Sequence, residues 1–563
     1  MKARTLLRAF IAMCLAGIFV VWAGPVGAKS DAKPPKPKPN VQVQILAIND
    51  FHGNLEPPAG SSGRIGTINA GGIEYLATHM KLLEATNPNT VIVSAGDVIG
   101  ASPLLSGLFH DEPTIEGMNL LGLDLNAVGN HEFDEGVDEL RRMHDGGCHP
   151  VDGCQDGDPF LGADFDFLAA NVYQDRNGKR IFPPYRIKTF EGQKVAFIGE
   201  PLKGTPTIVT PSAVAGLRFE DEADTINALV PELEANGVEA IVAMIHEGGF
   251  PTGGFNDCPG ISGPIVDIVQ RLDPAVDVVI TGHTHAAYNC VINGRPVTSA
   301  SSFGRLITDY DLTIDPATHD VTNVLVDNKI VTRDVAKDPA ETSLILKYKQ
   351  FSDPIANRVS GKITADITRA TNAASESALG DVIADAQLDA TDDPGFGEAV
   401  AAFMNPGGIR SDLVYNQISG GEQPGEVTYG ELFAVQPFGN SLVTMTLTGA
   451  QIDQTLEQQF DNPTVGATRI LQISGGFTYT WDAAAPTGSK VSNIRLNGAL
   501  IDPTASYRVT VNSFLADGGD GFTALRGGTN RLGGDVDVDA FEDYLGAHSP
   551  VAPGPQNRIT RVN

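Results

Sequence analysis

Between residues 41 and about 335, short apolar runs alternate with amphipathic stretches. The runs are VQVQILAI, NTVIVSAG, LNAVG, KVAFIGE, EAIVAMIH and AVDVVITGH. Stretches such as GGIEYLATHMKLLEAT and FEDEADTINALVPELEANG lie between them. A short, continuous apolar run reads as a strand covered on both faces, and an apolar stripe of helical period reads as a helix lying on it. The alternation therefore predicts an α/β fold with strands buried between helix layers.

A chain of 563 residues is too long for one core, so two or more domains are expected. The stretch VAKDPAETSLILKYKQFS reads as an exposed helix, and residues 336–360 as a connector. Residues 361–563 form a second unit. It starts with a helix, ESALGDVIADAQLDAT, and continues with strand-like runs such as NSLVTMTL and SYRVTVNSFL. No internal repeat is present.

Five of the runs in residues 41–335 end in groups that can ligate a metal. The first gives Asp50 and His52, and VIVSAGD gives Asp97. LNAVGNHEFD gives Asn130, His131 and Asp134. AIVAMIHEGG gives His246, and VDVVITGHTH gives His283 and His285. Alternation along a strand would point residues i and i+2 the same way, so Asp50 with His52, and His283 with His285, are each expected to face one site. Asn49 reads as a turn cap. Imidazole, carboxylate and amide oxygen without thiolate suit Zn²⁺, Mn²⁺, Co²⁺ or Fe²⁺ better than Ca²⁺. Seven ligands exceed the need of one ion, and Asp97 could bridge two ions about 3.5–4 Å apart. A lone NDFH or SAGD is more often a capped turn, but five such run-ends in one domain argue for a site.

Charge and cysteines bound the setting. The formal net charge is −30. Residues 1–40 carry seven Lys or Arg and one Asp, a net +6, so the remainder carries −30 − 6 = −36. Such a body argues against nucleic-acid polymers as partners and favours cation capture. Lys2, Arg4 and Arg8, an apolar run from Ala9 to Gly24 and the small residues Val26-Gly27-Ala28 read as a signal peptide over residues 1–28. A Pro/Lys-rich tether over 29–40 follows. The expected mature protein is secreted, periplasmic or cell-wall associated, a monomer, with no stable membrane insertion. Four cysteines remain after residue 28: Cys148, Cys154, Cys258 and Cys290. An even count in an exported chain suggests disulfides, and three pairings are open. We favour Cys148 with Cys154 and Cys258 with Cys290. A cysteine metal site is the alternative, although no C-x-x-C spacing occurs.

The motifs NDFHG, SAGDVIGASP, GNHEFD, HEGG, GHTH, NPGGIR, PFGN and FLADGGDGF together resemble the secreted bacterial 5′-nucleotidase family. The resemblance covers nearly everything after the tether. It implies a four-layer metallophosphoesterase β-sandwich flanked by helices over 41–335, and a second α/β nucleotide-binding domain over 361–563. It implies two divalent ions (Zn, Mn or Co), with Asp50, His52, Asp97 and His285 around one. Asp97, Asn130, His246 and His283 would hold the other, and His131 with Asp134 would form the catalytic pair. In the second domain it implies Asn405, Gly408 and Arg410 at the phosphate, Phe438 and Phe514 as a clamp on the base, Asp520 on the ribose and Asn440 on the base. Pro406 stands where the family often has another glycine, and Arg369 is the nearest candidate for a further phosphate arginine. The implied activity is hydrolysis of nucleoside 5′-monophosphates by a water activated at the two ions. A 2′,3′-cyclic phosphodiesterase with 3′-nucleotidase activity, or a UDP-sugar hydrolase, is the alternative on the same scaffold. A non-catalytic secreted binding protein comes last, because it predicts gaps in the ligand set and none is found.

Overall fold

The computed structural model describes residues 38–563 apart from residues 59, 211, 463 and 464. The expected signal segment and the tether as far as residue 37 lie outside the described residues.

Strand β1 (Val41–Ile48) spans the run VQVQILAI, and only Gln42 of its eight residues is exposed. Helix α1 (Ile73–Glu84), strand β2 (Thr90–Ser94) and helix α2 (Glu112–Leu121) follow. Then come β3 (Leu125–Ala127), α3 (Val137–Asp145) and β4 (Asp166–Leu168). The chain next builds β5 (Tyr185–Phe190), β6 (Gln193–Pro201), α4 (Glu222–Ala235) and β7 (Ala240–His246). Helix α5 (Pro264–Arg271), β8 (Val278–Thr281), β9 (Ala287–Ile292) and β10 (Arg295–Ala300) complete this second group. Strands β11 (Leu306–Ile314) and β12 (Val321–Ile330) return to the first.

Two six-stranded sheets result, ordered β12-β11-β1-β2-β3-β4 and β9-β10-β8-β7-β6-β5. Strands β1 to β4 run parallel, as do β6, β7, β8 and β10; antiparallel strands form the remaining positions. The sheets pack face to face through Val43, Ile45 and Val93 on one side and Phe197, Val242, Met244 and Ile280 on the other. The outer face of the first sheet, with Leu46 and Ile48, is covered by Leu76 and Met80 of α1, Met118 of α2 and Leu140 of α3. The outer face of the second, with Ile241 and Ile245, is covered by Ile226 of α4 and Val269 of α5. Each such side chain contributes about 1.5–3 kcal/mol on burial. This is the expected four-layer sandwich, and its continuous apolar strands follow from being covered on both faces.

Helix α6 (Pro339–Ala356) starts at the N-cap Asp338, whose carboxylate accepts from the N–H groups of Ala340 and Glu341. The sequence suggested an exposed helix here. One face is buried instead, because Leu344, Ile345 and Tyr348 pack into the core shared with α1 and α2. Beyond it lie α7 (Ala378–Asp389), β13 (Ala401–Met404), α8 (Tyr429–Val435), β14 (Ser441–Thr448) and α9 (Gly449–Glu457). Strands β15 (Gln472–Ile473), β16 (Phe477–Asp482), β17 (Val491–Leu496), β18 (Ala499–Leu500) and β19 (Ser506–Asn512) follow. The chain ends with β20 (Thr529–Val536), α10 (Asp537–His548) and β21 (Ile559–Val562). A five-stranded sheet, β15-β13-β19-β14-β20, lies beside a four-stranded one, β18-β17-β16-β21. Thr448 and Gln451 form a capping box at α9, whose Ile452 and Leu456 pack with Phe477 and Trp481. Phe541 and Leu545 of α10 cover the opposite face with Ile383 of α7.

Cys148 is bonded to Cys154 and Cys258 to Cys290, with Cα separations of 4.7 and 5.1 Å. No helix of the described residues is long and apolar enough to cross a membrane.

Candidate functional site

The ligand candidates lie at the C-terminal ends of the parallel strands β1, β2, β3, β7 and β8, where the ladders run out and side chains from both sheets meet. Strand alternation is not what brings them together. β1 ends at Ile48, and Asp50 and His52 then take left-handed φ values of 49° and 48°. Asp97 (52°), His283 (69°) and His285 (53°) do the same. Each non-glycine residue in this region costs about 1–3 kcal/mol and persists only where its surroundings hold it. Backbone bonds supply that hold: the N–H of Asp50 donates to the Gly96 carbonyl (2.9 Å), and that of His52 to the Asp97 carbonyl (3.0 Å). Close approach also demands glycine. A Cβ on Gly129 would lie 2.2 Å from Asp97 Oδ1, and one on Gly96 2.5 Å from His246 Nδ1.

Two adjacent clusters result, one of Asp50, His52 and His285, the other of Asp97, His246 and His283, joined by a third group of His52, Asp97 and His131. In the first, His52 Nε2 lies 3.0 Å from His285 Nε2, which lies 3.4 Å from Asp50 Oδ1. In the second, His246 Nε2 lies 2.9 Å from Asp97 Oδ2 and 3.2 Å from Asn130 Oδ1, and His283 Nδ1 is 2.9 Å from the same Asn130 oxygen. Asp97 links the two, 3.7 Å from His52 Nε2. The donor chemistry fits divalent cations. His52 Nδ1 faces the Gly100 carbonyl (2.8 Å), so the tautomer assigned by this bond turns its Nε2 lone pair towards the carboxylates; His246 Nδ1 is likewise held by the Ala95 carbonyl (2.7 Å), which aims its Nε2 at Asp97. Lone pairs and carboxylates converging on one volume call for positive charge. Burial lowers His52, His283 (to about 3) and His285, which favours the neutral imidazole a metal would need. Burial also opposes charge on His246, but the Asp97 carboxylate outweighs it and holds His246 up at about 10.

His131 sits beside both clusters, its ring centroid 5.0 Å from that of His52. Its N–H donates to Asp97 Oδ1 (2.9 Å) and its Nδ1 faces Asp134 Oδ2 at 2.7 Å. Burial pulls His131 down, yet Asp134 and Asp97 together hold it above the ordinary imidazole value.

Two further residues escaped sequence reading. Asn49 is not a turn cap: its amide donates to Asp50 Oδ2 (2.6 Å) and to the Ser301 carbonyl (2.6 Å), and accepts from the Ala300 N–H (2.7 Å). It fixes the Asp50 carboxylate against the neighbouring loop. Glu132, inside the GNHE motif, accepts from the N–H groups of Asp97 (3.1 Å), Val98 (2.9 Å) and Gly129 (2.7 Å) and from Asn126 Nδ2 (3.2 Å). Burial, and then the charge of Asp97, push it up to about 7.

A cavity of about 220 Å³ opens from the clusters towards the second half of the chain. Asn130, His131, Asp134 and His283 form its near wall. Its far wall carries Asn405, Gly408, Arg410, Phe438, Asn440, Phe514 and Asp520, all named from the sequence. Phe438 lies against His131 (centroids 5.7 Å apart, planes 22°) and under the Arg410 guanidinium (5.8 Å), while the backbone of Gly519 covers one face of Phe514. The two rings thus line one cavity from different supports. Arg410 Nη2 is buried and has no hydrogen-bond partner among the described residues. Burial lowers the Arg410 guanidinium from its ordinary value; Asp97 and Asp134 partly restore it. Asn405 donates to Asp520 Oδ2 (2.9 Å). Arg469, which carried no sequence signal, bonds to Asp520 Oδ1 and lines the same cavity, as do Ile208, Val209 and Thr210. Arg369 does not line it: the side chain is exposed and donates to Ser62 Oγ at 3.3 Å.

Fold and site together define a calcineurin-like metallophosphoesterase joined to a second, C-terminal α/β body. Residues 43–287 match the calcineurin-like phosphoesterase family, and residues 356–527 match the 5′-nucleotidase C-terminal domain. The chain belongs to the 5′-nucleotidase family. It is 33% identical to endonuclease YhcR of Bacillus subtilis (strain 168) over 93% of this chain, and spans 41% of that relative's length. It is 34% identical to cell wall protein Lmo0130 of Listeria monocytogenes, covering 90% of this chain and 67% of that one. Among solved structures, the 5′-nucleotidase precursor from Thermus thermophilus matches with a TM-score of 0.77 at 28% identity, over 93% of this chain and 99% of that one.

Proposed function

We propose that the protein hydrolyses nucleoside 5′-monophosphates to nucleosides and inorganic phosphate, outside the cytoplasm. The observation that carries this reading is Arg410, a half-buried residue whose Nη2 is buried and unpartnered among the described residues, on a cavity that joins the candidate ligand clusters to two phenylalanine rings. A group of this kind awaits an anion, and its planar fork matches phosphate oxygens. Divalent ions held by Asp50, His52, Asp97 and His285, and by Asp97, Asn130, His246 and His283, would supply Lewis acidity to water and phosphate. His131, with Nδ1 held by Asp134, turns its other nitrogen to the cavity and gives a proton to the ribose O5′ as the P–O5′ bond breaks. Phe438 and Phe514 offer π faces to the base, and any base can use them. Asp520 accepts from ribose hydroxyls, and Asn440 reaches the base.

Family membership supports the reaction class. The relative named as an endonuclease does not redirect it, since a formal charge of −30 disfavours polyanionic strands. Two disulfides and a relative named as a cell wall protein support an oxidising, extracytoplasmic setting. The test is phosphate release by the purified protein from 5′-AMP, 3′-AMP, 2′,3′-cyclic AMP and UDP-glucose, with Mn²⁺, Zn²⁺ or Co²⁺ supplied in turn. Release from 5′-AMP ahead of the others is expected, and His131→Ala should abolish it. Preference for 3′-AMP or the cyclic substrate would move the assignment to the 3′-nucleotidase reading. Failure with every substrate and metal would return weight to a binding protein.

A further inference from the structure

We infer that Arg469 is a positioning residue that sets a preference for ribonucleotides over 2′-deoxyribonucleotides, acting through Asp520; this rests on the 5′-nucleotidase reading above. Asp520 is 8% exposed and sits in the left-handed region (φ 53°) of the turn Gly519–Gly521. Its carbonyl accepts from Asn462 Nδ2 at 2.6 Å, which fixes the backbone. Its carboxylate is held from both ends. Oδ2 accepts from Asn405 Nδ2 (2.9 Å), and Asn405 is oriented in turn by Asn512, whose Nδ2 donates to Asn405 Oδ1 (3.0 Å). Oδ1 accepts from Arg469 Nη1, and this is the side-chain hydrogen bond that Arg469 makes among the described residues.

Each carboxylate oxygen has two lone-pair directions. Asn405 takes one on Oδ2 and Arg469 one on Oδ1, so each oxygen keeps one for the cavity. Two acceptors on one rigid carboxylate match two adjacent hydroxyl donors, the 2′- and 3′-hydroxyls of ribose. A 2′-deoxyribose offers one donor and leaves one acceptor unmatched. Arg469 stops rotation of a terminal torsion that is otherwise soft, by fixing the Oδ1 end of the carboxylate. Asn405 fixes the Oδ2 end alone and leaves Oδ1 without a second anchor.

The test compares kcat/KM for 5′-AMP and 5′-dAMP. Wild type should favour 5′-AMP by about tenfold to a hundredfold, the worth of one hydrogen bond to a charged group. Arg469→Met should bring the ratio close to one by raising KM for 5′-AMP, with kcat little changed. Arg469→Lys should restore part of the ratio, since it returns the charge without the fork. The ratio separates positioning from general damage, because the two substrates differ in one hydroxyl. Should Arg469→Met fail to fold, competitive inhibition of wild type by adenosine and 2′-deoxyadenosine carries the comparison, with adenosine the tighter by the same factor. A wild-type ratio near one, equal inhibition by the two nucleosides, or an unchanged ratio in Arg469→Met would overturn the inference. Loss of all activity on 5′-AMP in wild type would instead overturn the reading it rests on.

Discussion

At the scale of single residues, the candidate ligands are less informative than the groups that hold them. Glu132 is the clearest case. One buried carboxylate gathers three backbone N–H groups from the two loops that carry Asp97 and Asn130, together with the Asn126 amide of β3. Leaving a buried donor unsatisfied costs about 1–3 kcal/mol. Glu132→Gln puts an NH₂ group among those donors and should destabilise the protein by about 2–4 kcal/mol, read by urea unfolding. Zn²⁺ or Mn²⁺ content after dialysis should fall as well, because the Asp97 loop loses its anchor. Unchanged stability with full metal content would show that the loops hold themselves. The sequence exposed the ligands because each ends an apolar run. It left the roles of Glu132 and Asn49 unread for a physical reason. Both act mainly on backbone groups of loops and strand ends distant in sequence, and no periodicity records such partners.

At the scale of elements, strands and helices were legible and the turns between them were not. β1 coincides with its apolar run because both faces are covered, and the α6 stripe was misread as exposed because Lys and Asp surround it. The left-handed residues at the strand ends leave no local signature, since only tertiary contacts hold them there. The loop closed by Cys148 and Cys154 was read as a disulfide candidate, but not for what it grips. Its Asp152 and His149 meet His110 and Glu135: His110 Nδ1 lies 2.8 Å from Glu135 Oε2, and Nε2 lies 2.9 Å from Asp152 Oδ2. The His149 ring stacks on His110 at 3.7 Å, and Glu139 adds a further negative charge nearby. The Glu135 bond, against the opposing effect of burial, raises His110 from about 6.5 to about 9. A raised folded value means the stabilisation is complete below pH 6.5 and is lost as pH climbs to 9. His110→Gln should therefore lower Tm most at about pH 6 and have no added effect by about pH 9.5. A Tm difference independent of pH would mean that His110 contributes packing rather than charge.

At the scale of the whole molecule, the candidate site is divided between two bodies, and the chain's charge works against the anionic substrate proposed for it. With −36 beyond residue 40, the long-range field repels a nucleotide, so local positive groups must reverse it at the cavity. The second body supplies Arg410 for this. Its backbone N–H is fixed by the Val435 carbonyl (2.8 Å), and its guanidinium lies over Phe438 with Nη2 buried and unpartnered among the described residues. An unpartnered buried donor destabilises the folded chain, and sites built to bind commonly store such strain. Stability and activity should therefore move apart when it is removed. Arg410→Met keeps much of the packing and deletes the orphan donor, so Tm should hold or rise. kcat/KM for 5′-AMP should fall by about tenfold to a hundredfold, as expected for a charge-assisted phosphate contact. Inorganic phosphate should weaken as a product inhibitor by a similar factor, because it shares that contact. Arg410→Lys should recover little, since a single ammonium cannot reproduce the fork. A fall in Tm with kcat/KM intact would assign Arg410 to holding the two bodies together, and the phosphate would then need another guanidinium, with the exposed Arg369 the nearest candidate.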